Sequence, residues 1–259
     1  MRFISRWLAV AAAVAVASSA AWAKAQPAAT LQRIDPQATE VFKKMSDYLG
    51  RAKALSVRAS FRQEVVLLTG QKVEYESWSQ VTLRRPDRLR TSRHGLMENL
   101  DFYYDGKTTT IFRKEPNFYA SAPAPATVDA MLEDLQAKLD IAIPGSDLLF
   151  ADAYGGMIGD VTDALYVGPE EVGGVRAHHL AFRHSDVDWQ IWIQEGDKPL
   201  PVKYVITTKW MTGAPSFDVV MTDWDLAPKV DDATFAFVPP SGSQRIEFKR
   251  PPDLPAVSR

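Results

Sequence analysis

Residues 55–83 read LSVRASFRQEVVLLTGQKVEYESWSQVTL, and the period of this stretch decides the fold. Leu55, Val57, Ala59, Phe61, Val65 and Leu67 alternate with Ser56, Arg58, Ser60, Arg62 and Glu64. After Thr69-Gly70-Gln71 the alternation resumes, with Val73, Tyr75, Val81 and Leu83 against Lys72, Glu74, Glu76 and Gln80. Successive side chains of a strand point to opposite faces, so the stretch predicts a hairpin with one dry face and one wet face. Trp78 falls on the wet phase, which points to an edge or a covering element there.

Downstream, further short strands are expected at Arg88 to Ser92, at Phe102 to Tyr104, from Thr108 to Phe112 and at Asn117 to Ser121. Asp105-Gly106 between two of them is a hairpin signal. The run Ala122-Pro123-Ala124-Pro125-Ala126 breaks the sheet. A helix follows with Thr127 as N-cap, Asp129 near its positive end and the stripe Val128, Met131, Leu132, Leu135 and Leu139. Pro144-Gly145 ends it, and a third short helix is expected over Ser146 to Tyr154. Five strands are then expected at Ala164 to Val167, Val175 to Arg183, Asp188 to Gln194, Val202 to Lys209 and Phe217 to Thr222, and a short terminal one at Phe235 to Val238. Upstream, Pro36 starts a helix whose apolar stripe is Val41, Met45, Tyr48, Leu49 and Ala52.

Hairpin follows hairpin, so the sheet is antiparallel and the class is α+β. About ten or eleven strands in one sheet curl, giving a half-open antiparallel β-barrel whose concave face is lidded by helices. We expect one such domain over residues 36–240, a flexible lead-in over 24–35 and a Pro-rich tail over 241–259.

The chain has 259 residues and a formal net charge of -2. So small a charge recruits neither nucleic acid nor an anionic membrane surface. There is no Cys, which excludes disulfides, thiolate nucleophiles, Cys-held metals and lipid attachment through Cys. Arg2 and Arg6, the apolar run Leu8 to Ala17 and Ala21-Trp22-Ala23 form a secretory signal. Cleavage is expected after Ala23, releasing residues 1–23 and delivering the chain to the periplasm. No later segment is long and apolar enough to span a membrane.

Six segments carry a resemblance. They are IDPQATEVFKKMSDYL (34–49), RPDRLR (85–90), FYYDGK (102–107), DVDWQIWI (186–193), PLPVKYVITT (199–208) and DWDLAP (223–228). Together they resemble an uncharacterised family of predicted periplasmic proteins. More distantly the layout is similar to the LolA/LolB-like lipoprotein-carrier superfamily, through the Pro-x-x-Leu-Arg run at Pro86 to Arg90, the Asp-Gly hairpin, the Pro-rich break and the Phe-x-Phe-x-Pro-Pro at Phe235 to Pro240. That resemblance implies a half-open barrel holding acyl chains under helices, no catalysis and no cofactor. It also implies a lid-closing role for Arg90, which ends the Pro-x-x-Leu-Arg run.

The expected groove residues are Phe61, Tyr75, Val81, Leu89, Phe102, Tyr104, Leu180, Phe182, Trp189, Ile191, Tyr204, Ile206 and Met221 from strands, with Met131 and Leu135 from the second helix. Burying acyl chains against them would gain ~0.8 kcal/mol per CH2. The plainer alternative is that these side chains only pack beneath the helices. Arg84, Arg85, Arg88, Arg90 and Arg93 form a basic cluster suited to a phosphate headgroup, to a partner's carboxylates or simply to a solvated strand edge. His178, His179, His184, Asp186 and Asp188 alone carry metal-ligand chemistry, and no HExxH, GxSxG or P-loop pattern is present. Three functions follow: a carrier for a lipid or lipoprotein acyl chain, with a possible envelope protein partner; a metal-assisted envelope enzyme using the His178–Asp188 region; and a ligand-free interaction module.

Overall fold

A computed structural model describes residues 33–139 and 145–248. The signal, its cleavage site and the Pro251, Pro252 and Pro255 tail lie outside the described residues. Among the described residues no helix is long and apolar enough to cross a membrane.

Among the described residues twelve strands form one open sheet. The first meander comprises β1 (Ala54–Val66), β2 (Lys72–Arg84), β3 (Arg88–Gly95), β4 (Asn99–Tyr104), β5 (Thr108–Arg113) and β6 (Phe118–Pro123). The second comprises β7 (Asp163–Val172), β8 (Val175–Arg183), β9 (Val187–Gln194), β10 (Pro201–Thr208) and β11 (Ser216–Asp225). β1 pairs with both β2 and β11, and a short β12 (Gln244–Arg245) lies beside β6, so the two meanders join into one wall ordered β12-β6-β5-β4-β3-β2-β1-β11-β10-β9-β8-β7. The sheet does not close on itself.

The hairpin predicted at residues 55–83 forms in register, with Leu55 opposite Leu83 and Phe61 opposite Ser77. Leu55, Val57, Ala59 and Leu83 are buried on the face that the helices cover. At the Asp105-Gly106 turn, Asp105 Oδ1 accepts from the backbone N–H of Lys107 at 3.0 Å and of Thr108 at 2.8 Å. Gly106 supplies the positive φ of 86° that the turn requires, a conformation costly for any residue with a Cβ.

α1 (Pro36–Gly50) starts where the sequence places it. Asp35 caps it, its Oδ1 accepting from Gln37 N at 2.8 Å. Its buried face differs from expectation: Ala38, Phe42, Met45, Ser46 and Leu49 point inward, while Val41 and Tyr48 are half-buried. Both stripes contain Met45 and Leu49, and the helix turns to bury the aromatic ring of Phe42. That ring centroid lies 5.2 Å from Trp189, 5.5 Å from Phe182 and 5.7 Å from Tyr154. At the helix end a Cβ on Gly50 would stand 2.3 Å from the Ala151 carbonyl oxygen, so glycine permits the close approach.

The connection between β6 and β7 is the helical insert. Thr127 caps α2 (Val128–Leu139), its Oγ1 accepting from Ala130 N at 3.2 Å. The single helix expected over Ser146 to Tyr154 is instead two pieces. A 3-10 turn spans Ser146–Leu149, and α3 covers Ala153–Ile158 with Asp152 as its N-cap. Ser46 Oγ of α1 accepts from Tyr154 N at 2.9 Å and ties α3 to α1.

The segment near Phe235 corrects another expectation. It is not a strand: Asp232–Thr234 form a 3-10 turn capped by Asp231. Phe235 is fully buried, and Phe237 packs on Tyr103, Phe112 and Tyr119. These three partners point away from Phe102 and Tyr104, so Phe-Ala-Phe covers the opposite face of the sheet. The last strand is β12 (Gln244–Arg245), lying parallel to β6 within the stretch read as tail. In the lead-in, Ile34 bridges Ala164 of β7.

Candidate ligand cleft

Among the described residues the insert does not fill the concave face. A cleft of about 520 Å³ remains between it and β9 to β11. Val187 and Trp189 of β9, Tyr204, Ile206 and Thr208 of β10, and Phe217 of β11 form the sheet wall. Gln136, Ser146, Asp147, Gly156 and Met157 form the opposite wall. The same five residues also line a second space of about 250 Å³, with Leu132 and Phe150, between α2 and α3. The two spaces therefore share this wall of the insert. Volumes of this size suit a small apolar ligand.

The register explains the wall. Tyr204 pairs with Ile191 and Val219, and Ile206 pairs with Trp189 and Phe217, so alternate residues of three strands share one face. Trp189, Tyr204 and Ile206 of the expected set line the cleft. Leu89, Phe102, Tyr104, Met131, Leu135, Leu180, Phe182, Ile191 and Met221 belong to the buried core. Phe61 and Val81 are half-buried against that core, and Tyr75 is half-buried toward the far end of β2. Val187, Phe217, Met157, Gln136 and Asp147 were absent from the expected set. Phe217 shares the phase of Val219 and Met221 and was legible. Asp147 sits in a non-periodic stretch and was not.

Two ionisable groups face each other in this cleft. Burial pushes the Tyr204 hydroxyl well above its ordinary range, with the nearby Asp147 charge adding to the effect. Burial likewise raises the Asp147 carboxyl. A carboxyl whose pKa is raised on folding contributes fully below its unfolded pKa, and that contribution is lost as pH rises through the folded value. Asp147→Asn is therefore expected to raise the melting temperature at neutral pH and to leave it nearly unchanged near pH 3, where both states of the wild-type carboxyl are protonated. An equal melting temperature at both pH values would show that Asp147 is solvated.

Arg90 stands on the other face of the sheet. The strand period that turns Leu89 inward turns Arg90 outward, where its guanidinium lies 4.8 Å over the Tyr103 ring and 4.0 Å from Asp101. It is therefore not placed to close a lid over the cleft. Arg85 touches the insert instead: Nη2 donates to the Phe150 carbonyl at 3.2 Å, and Nη1 lies 3.8 Å from Asp129. Asp129 in turn accepts from Ala151 N at 3.1 Å. The rest of the basic cluster is dispersed: Arg84 pairs with Asp232, Arg88 with Asp87 and Arg93 with Glu98.

The histidines separate as the strand period requires. His178 Nδ1 meets the Tyr166 hydroxyl at 2.9 Å, while His179 stacks on Trp192 at 4.0 Å. His184 stands at the cleft margin, 3.7 Å from Asp160. Asp188 is held by Arg183 and Lys209. Among the described residues no group of three or more His, Asp or Glu side chains is disposed to hold a metal ion.

Residues 38–249 match the model of a family described as predicted periplasmic protein (DUF2092). No curated protein matches the chain. Three solved structures resemble it at the level of fold. An uncharacterised conserved protein from Thermus thermophilus is 12% identical, covering 82% of this chain and 99% of its own, with a TM-score of 0.49. Lipoprotein LppX from Mycobacterium tuberculosis is 12% identical, covering 76% and 100%, with a TM-score of 0.44. A LolA superfamily protein from Nitrosomonas europaea is 11% identical, covering 77% and 97%, with a TM-score of 0.40.

Proposed function

The chain belongs to the DUF2092 family of predicted periplasmic proteins, and from that premise we propose that it is a non-catalytic periplasmic carrier, exported by its N-terminal signal, that holds an apolar ligand under the helical insert. The observation that carries this reading is the unfilled space between the insert and β9 to β11, walled by Val187, Trp189, Tyr204, Ile206, Phe217 and Met157. Close packing is the norm for protein interiors, so a cleft of about 520 Å³ under a lid is a feature to be explained. Acyl chain placed there leaves water at ~0.8 kcal/mol per CH2.

The polar members of the wall narrow the ligand. Asp147, Asp160 and His184 line the cleft, and no Lys or Arg does so among the described residues. An anionic head inside the cleft would meet carboxylates and no fixed cation. An ester, hydroxyl or amine head fits better, with the Tyr204 hydroxyl as a donor that stays protonated across the working range. Protein purified from its native envelope and extracted into organic solvent is expected to release a neutral or cationic lipid in stoichiometric amount by mass spectrometry. A clean extract, together with indifference to added monoacylglycerol, would leave the ligand-free interaction module as the better reading.

A further inference from the structure

The insert presents a carboxyl to an apolar cleft. Ser146 and Asp147 open the 3-10 turn Ser146–Leu149, and this turn presses on the sheet: a Cβ on Gly145, the residue before it, would stand 4.0 Å from the Phe217 ring. From there both side chains line the cleft across from Tyr204.

Tyr204 is 3% exposed, yet among the described residues its hydroxyl has no hydrogen-bond partner. Buried Tyr hydroxyls usually find one. The half-buried Asp147 carboxyl likewise meets no other side chain in a hydrogen bond or ion pair among the described residues, and its charge acts on Tyr204. Groups left dry and unpaired cost free energy. Both are poised to take the polar atoms of a ligand.

We propose that the cleft selects a long-chain amine, whose ammonium pairs with Asp147 beside the Tyr204 hydroxyl. The inference rests on the carrier reading and names the head of its ligand. Three features favour an ammonium over the ester and hydroxyl heads that the cleft also accommodates. A primary ammonium carries three donors, and Asp147, Ser146 Oγ and Tyr204 Oη offer acceptors on the two walls. Tyr204 and Phe217 present aromatic rings to the same space, and such rings attract an organic cation. The charges agree. Asp147 and Asp160 line the cleft, Glu133 lines the second space, and neither space has a Lys or Arg among the described residues. An alcohol would satisfy Tyr204 but leave the Asp147 charge uncompensated. A long-chain carboxylate would meet Asp147 as a like charge.

The test compares dodecylamine, dodecanol and laurate, which share one carbon count, in competition with a fluorescent acyl probe at neutral pH. Dodecylamine is expected to bind at least ~10-fold more tightly than dodecanol, the yield of one charge-assisted hydrogen bond, and laurate more weakly than either. Asp147→Asn should remove that margin while dodecanol binds as before and the melting temperature shows the fold intact. Asp197→Asn, which alters an exposed carboxylate in the β9–β10 turn, should keep the margin. That comparison separates pairing inside the cleft from attraction to an acidic surface. Equal affinity for dodecylamine and dodecanol, or a margin that survives in Asp147→Asn, would overturn the inference and leave the carrier reading standing. Binding of none of the three would remove both.

Discussion

Phe42→Ala is expected to destabilise the fold by ~3–5 kcal/mol, the usual range for truncating a buried aromatic ring. Phe42 is 0% exposed and is the point at which α1 meets the sheet and the insert together. Its ring leans on Phe182 and Trp189, which stack on each other at 4.0 Å, and on Tyr154 of α3. Removing it leaves a void that three aromatic neighbours in two layers cannot close without moving helices. Domain stabilities of ~5–15 kcal/mol leave little margin for such a loss. Urea unfolding of the two chains reads the difference directly. A change below ~1 kcal/mol would mean that α1 does not seat on the sheet through Phe42. Val41→Ala on the same helix is the comparison, and it should cost clearly less because Val41 is only half-buried.

Ile206→Trp is expected to weaken binding of a long-chain monoacylglycerol by about 50-fold while changing stability little. Ile206 is half-buried and faces the cleft between Trp189 and Phe217. A Trp there grows into empty space and not into packed core, so the overpacking cost stays small. Excluding about three methylenes of a ligand at ~0.8 kcal/mol each gives ~2.4 kcal/mol, which is the stated fold-change at ~1.4 kcal/mol per decade. Competition with a fluorescent acyl probe measures it. Undiminished affinity would place the ligand elsewhere. The reverse change, Ile206→Ala, should leave affinity within a few-fold, since it enlarges a wall that already yields space.

The sheet was legible because strand alternation is a local property. Residues 55–83 show which face is dry, and Asp105-Gly106 shows where a hairpin turns. The start of α1 at Pro36 and the Thr127 cap were legible for the same reason. What escaped depends on tertiary partners. The α1 stripe could be drawn through Val41 or through Phe42, and only the aromatic cluster beneath it selects Phe42. Phe235-Ala-Phe237 alternates like a strand, yet its rings serve as a plug on the outer face. The role of Arg90 followed from a resemblance, while the strand period alone already placed Arg90 opposite Leu89. Arg85, one position before Pro86, is the residue that reaches the insert. The cleft itself had no signature, because it is defined by what α2, the 3-10 turn and α3 fail to fill. Its wall could be listed only as inward-facing residues, most of which are core.

The central claim is that an apolar chain lies against Trp189 beneath the insert. A monoacylglycerol brominated along its chain quenches any indole it touches, so a titration followed by Trp emission tests that placement. The account predicts saturable quenching at one equivalent that is lost in Trp189→Phe and retained in Trp210→Phe. Quenching that survives in Trp189→Phe, or emission that does not respond to the probe at all, would contradict it.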